Sequence, residues 1–66
     1  MEAYQERVLA ERDELSERLD KLRTFLNSAK FDAVPRPEQV RMTRQYLAMS
    51  SYLDVLNERI AAFMAS

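Results

Sequence analysis

The chain has 66 residues, 47% of them hydrophobic and 32% charged, with a formal net charge of −1 and no Cys, His, Trp or Gly. A chain this short forms one small domain, and the missing residue types exclude zinc knuckles, disulfide frameworks, thiol nucleophiles, imidazole bases and glycine-rich phosphate loops. The balance also argues against bulk electrostatic attachment to DNA or a membrane, although it is uneven: residues 1–20 sum to −4, residues 21–44 to +4 and residues 45–66 to −1.

From Glu2 to about Ala29 there is no Pro, and Glu, Arg, Leu and Ala dominate. All are good helix formers, so one long helix is expected over residues 2–29. Val8, Leu15, Leu22 and Ala29 recur every seven residues, and Leu19 and Leu26 complete the alternating four-and-three spacing of a helix-packing seam. Glu14/Arg18 and Glu17/Lys21 stand four apart in the favourable order and are expected to pair on the outer face.

Residues 30–37 read as a connector, because Pro35 and Pro37 fix φ and push the residues before them out of the α region. Pro37 suits the first position of a second helix, with Glu38 close behind it at the positive end of the dipole.

That second helix is expected over residues 38–64. Met42, Tyr46, Met49, Leu53, Leu56, Ile60 and Phe63 follow the same seam spacing without a gap. A further apolar set, Val40, Leu47, Tyr52, Val55 and Met64, flanks it, so this helix is apolar over more of its circumference than one partner helix covers. The expected fold is all-α: an antiparallel two-helix hairpin that pairs into an oligomeric bundle to hide the surplus. No apolar run is long enough to cross a bilayer and the acidic start does not look like a signal peptide, so a soluble cytoplasmic protein is expected.

Chemistry-bearing groups are few. Without His the Glu residues have no partner for a di-metal site, and they interleave with Arg as solvated pairs, so neither a metal nor a cofactor is expected. Lys21, Thr24 and Phe25 fall on neighbouring positions of one helix surface, where a cation, a hydroxyl and a ring suit a phosphate and a base. The same spacing also fits a surface Lys beside a Phe used in packing. Tyr4 shares the azimuth of the seam and reads equally as a core or interface ring. It lies seventeen residues from Lys21, about 25 Å along a helix, so the two can meet one ligand only across an antiparallel second chain. Arg59 is the only basic residue after Arg44, and the hairpin sets it opposite the start of the first helix, near Arg7 and Arg12. Glu11, Asp54 or Glu58 could pair with it. Arg12 interrupts the continued seam, as a register-marking polar residue does.

The segments Tyr4-Gln5-Glu6-Arg7-Val8-Leu9-Ala10-Glu11-Arg12-Asp13-Glu14-Leu15 and Leu19-Asp20-Lys21-Leu22-Arg23-Thr24-Phe25-Leu26, followed by Gln45-Tyr46-Leu47-Ala48-Met49 and Tyr52-Leu53-Asp54-Val55-Leu56-Asn57-Glu58-Arg59-Ile60, resemble the helical-hairpin domain of phage anti-CBASS and anti-Thoeris sponge proteins. The resemblance implies a counter-defence protein, active in the cytoplasm of the infected bacterial host, that withholds cyclic oligonucleotide signals from their effector without cleaving them. It implies dimers assembling to a homohexamer, with ligands held between protomers. Tyr4 and Lys21 match the family's cyclic dinucleotide pocket, and Thr24 and Arg59 its cyclic trinucleotide pocket. With Arg7 and Phe25 beside them, the candidate ligand-binding set is Tyr4, Arg7, Lys21, Thr24, Phe25 and Arg59. The alternative from another class is an adaptor hairpin that binds another protein's helices; an enzyme is not expected, because no residue is an activated nucleophile or general base.

Overall fold

In the computed structural model, which describes residues 1–65, the first helix begins where the sequence supplies a cap. The Glu2 backbone N–H donates to Gln5 Oε1 at 2.9 Å, and the Glu2 carbonyl accepts from the N–H groups of Gln5 and Glu6. Helix α1 then runs Ala3–Leu26, stopping short of the expected Ala29. Two short polar side chains end it. Asn27 Nδ2 donates to the Arg23 carbonyl at 2.8 Å and Ser28 Oγ to the Phe25 carbonyl at 2.6 Å, offering the last carbonyls an alternative to the helix ladder.

Ser28 is extended, with φ −96° and ψ 159°, and it opens a single turn, α2, Ala29–Asp32. The expected connector therefore contains a helical turn, and Ala29 lies exposed in it rather than in the seam. Helix α3 spans Arg36–Met64, starting two residues ahead of the expected Glu38. Pro35 is its N-cap, and the Pro35 carbonyl accepts from Glu38 and Gln39 at 2.9 and 3.0 Å. Pro37 thus occupies the second helical position instead of the first. It fits equally well there, since the N–H of the second helical position has no intrahelical partner either.

The described residues contain no strand: two long antiparallel helices and one short turn make an all-helical rod of 47 × 15 × 15 Å. Val8, Leu15 and Leu19 of α1 and Leu56 of α3 are buried, Leu56 completely. Met49, Leu53, Ile60 and Phe63 pack against the cluster of Val8, Leu15 and Leu56. Each fully buried aliphatic side chain contributes about 1.5–3 kcal/mol, and the alternating spacing is what collects them on one line. Leu22 and Leu26 continue that line half-buried, while Val40, Leu47, Tyr52, Val55 and Met64 all lie exposed. On the outer face of α1, Glu17 and Lys21 pair at 3.3 Å, whereas Glu14 and Arg18 do not.

Candidate functional site

At the terminal end, Tyr4 is half exposed and its ring meets Phe63 edge to face, centroids 6.3 Å apart at 80°. Arg7 stands one turn from Tyr4 and Arg59 one turn from Phe63, positions that neighbour the rings on their helices. Both arginines are exposed, and neither has an acidic partner among the described residues; Glu11, Asp54 and Glu58 all leave Arg59 unpaired. Arg12 bridges the helices instead. Its Nε donates to Asp13 Oδ1 at 2.7 Å and its Nη1 to Asn57 Oδ1 at 3.3 Å, which fixes the level at which α1 meets α3.

Higher on α1, Lys21 is held by Glu17, and the Thr24 hydroxyl donates to the Asp20 carbonyl at 2.9 Å. Phe25 is half-buried and turns toward the bend, where Phe31 meets it edge to face at 6.2 Å and 84°. With Arg12 level with Asn57, Thr24 lies about 20 Å along the rod from Arg59, and Tyr4 about 25 Å from Lys21. One protomer therefore brings together neither pair.

The bend gathers a set of residues absent from that sequence reading. Gln39 Nε2 donates to the carbonyls of Phe31 at 2.9 Å and Val34 at 3.0 Å, tying the connector down on α3. Beside this tie an open concavity of about 300 Å³ is lined by Phe31, Arg36, Gln39, Val40, Thr43 and Arg44. Arg36, Val40 and Arg44 stand four apart and so share one face of α3. Arg23 is occupied by Asp20, and Arg41 by Glu38 at 2.6 Å, but Arg36 and Arg44 have no acidic partner among the described residues.

The Sequestin family model matches residues 2–62. The chain belongs to the Sequestin family. It is also 44% identical over 63 residues to an uncharacterized 7.5 kDa protein of the denB–rIIB intergenic region of Enterobacteria phage T4, an alignment that covers 96% of this chain and 98% of the relative. No solved structure matches it. The Sequestin match takes in α1, the bend and α3 as far as Ala62, one residue short of Phe63. In this Sequestin chain no helix is long and apolar enough to cross a membrane, and no His, Cys, Asp and Glu cluster suited to a metal ion occurs among the described residues.

Proposed function

We propose that this Sequestin protein binds and sequesters cyclic oligonucleotide second messengers of bacterial immunity and releases them chemically intact. The observation that carries the reading is the pairing, at each end of the rod, of arginines that lack an acidic partner with aromatic rings: Arg7 and Arg59 by Tyr4 and Phe63, Arg36 and Arg44 by Phe31. A guanidinium matches a phosphate in shape and charge, and a ring offers a face to a base. The family's name and its phage relative support sequestration in an infected cell.

In this reading Tyr4 and Lys21 serve dinucleotides and Thr24 and Arg59 serve trinucleotides, with Arg7 and Phe25 beside them, at junctions between antiparallel hairpins. A second copy covers the exposed Tyr52 and Val55, and dimers build a hexamer. Cleavage is not part of the function. Breaking a phosphodiester needs an activated nucleophile as well as charge stabilisation, and the hydroxyls of Ser28 and Ser50 are turned to the carbonyls of Phe25 and Tyr46. Sequestration then works by stoichiometry.

Titration with cyclic di- and trinucleotides tests the proposal, since a ligand that binds only the folded state raises its melting temperature. Ligand recovered after heat denaturation is expected to be the original cyclic compound. Linear products accumulating with time would replace the sponge by an enzyme. No thermal shift with any cyclic nucleotide would leave the adaptor hairpin, the reading that exposed Leu47 and Val55 favour.

A further inference from the structure

We infer that the concave surface at the bend is a seat, complete within one protomer, for a ligand carrying two phosphoryl groups. The cations come first. Of the arginines in the positive middle of the chain, Arg23 and Arg41 are occupied by neighbouring carboxylates, whereas Arg36 and Arg44 are left without acidic partners at the two ends of one concavity, and none of its lining residues is acidic. Each presents a fork of N–H donors that grips a phosphate through two oxygens.

Spacing then sets the ligand's shape. Eight residues of helix separate Arg36 from Arg44, a rise of about 12 Å, with Val40 midway on the same face and the Phe31 ring beside it. One guanidinium takes each phosphate, and the body between them, a ribose or a base, rests on Val40 and Phe31. The floor is fixed before the ligand arrives, because Phe31 is wedged against Phe25 and its carbonyl is held by Gln39. A fixed floor spares the ordering cost that a mobile connector would add to binding. Two free guanidiniums match two phosphates, and no third lines the concavity. The seat is therefore one for a cyclic dinucleotide or a nucleoside 3′,5′-bisphosphate, whose two phosphates are separated by a ribose, rather than for a trinucleotide.

The chemistry of the seat stands alone, and only its assignment to a cyclic signal rests on the sponge reading. The test is calorimetry on the full chain with adenosine 3′,5′-bisphosphate, cyclic di-AMP and cyclic tri-AMP as probes. The variants are Arg36→Ala, Arg44→Ala, their double, and Arg18→Ala as a charge-matched control on the outer face of α1. Arg36→Lys with Arg44→Lys keeps the charge and removes the fork. Each single alanine is expected to weaken adenosine 3′,5′-bisphosphate and cyclic di-AMP by about tenfold or more, the lysine pair to fall between wild type and the double alanine, and Arg18→Ala to change neither. Circular dichroism should give all variants the same melt, since neither arginine is paired or buried.

Equal affinity of wild type and the double alanine for every two-phosphate probe overturns the seat and leaves the sponge reading standing. Binding of cyclic tri-AMP alone, insensitive to both arginines, does the same. Arginine-dependent binding of adenosine 3′,5′-bisphosphate without binding of either cyclic compound keeps the seat and removes the sponge. Binding of none of the three removes both.

Discussion

Each end of the hairpin is closed by one edge-to-face pair of rings, Tyr4 on Phe63 at the termini and Phe25 on Phe31 at the bend, at almost the same separation of 6.3 and 6.2 Å. What each contact must overcome is very different. Phe25 and Phe31 are six residues apart in the chain, and Tyr4 and Phe63 fifty-nine, so bringing the second pair together costs about 2 kcal/mol more in loop-closure entropy. A ring pair returns only about 0.5–1.5 kcal/mol beyond its buried area. The terminal pair therefore depends on the seam beneath it, while the bend is additionally held by the Gln39 tie and by Asn27 and Ser28. One motif gives a fixed surface where the chain is continuous and a conditional one where it is not.

The largest effect should come from Leu56→Ala, which empties the one completely buried position and removes the contact with Val8 and Leu15. A loss of about 2–5 kcal/mol is expected, abolishing both ends together in a thermal melt followed by circular dichroism. Retention of a cooperative melt near the wild-type temperature would mean that the seam does not join the two ends.

Next comes Gln39→Leu, which strips the donors from the carbonyls of Phe31 and Val34 at a cost of about 1–3 kcal/mol. Amide exchange should quicken at Ala33 and Val34 and stay unchanged through Val8 and Leu15. Equal acceleration along the whole rod would erase the distinction between the ends.

A smaller loss, about 1 kcal/mol, is expected for Tyr4→Ala, confined to the first turn of α1 and the last of α3. Exchange measured at the bend serves as its internal control. Smallest for the fold is Lys21→Glu, because an exposed pair such as Glu17–Lys21 contributes at most about 1 kcal/mol. Its melt should match wild type while its affinity for dinucleotides falls; unchanged affinity in the folded variant takes Lys21 out of the site.

How much of this could be read from the sequence follows from which interactions leave a periodic trace. The line from Met42 to Phe63 was legible because burial of a helix face repeats every three or four residues, and the exposed flank of Val40, Leu47 and Val55 followed by subtraction. The end of α1 at Leu26 was not, since it is decided by single hydrogen bonds from Asn27 and Ser28 that no apolar period records. The positive middle was visible as a sum, but not which of its cations stay unneutralised. A local rule would have found Arg44: no acidic residue stands three or four positions to either side of it, whereas Arg23 has Asp20 and Arg41 has Glu38. Gln39 left no trace at all, because its partners are backbone carbonyls across a bend whose path the sequence does not state.

A rod only 15 Å across has no depth in which to enclose a ligand. A ligand seated at the bend of one protomer meets a surface already formed, so its capture proceeds at the rate of encounter, and unpaired arginines at both ends steer anions toward that encounter up to about 10⁸ M⁻¹s⁻¹. Affinity is then written almost entirely in the rate of escape. On the proposed sponge reading, a protein of this shape competes with a signal's receptor by reaching the molecule first and in numbers, and it holds its advantage only for as long as each captured molecule stays.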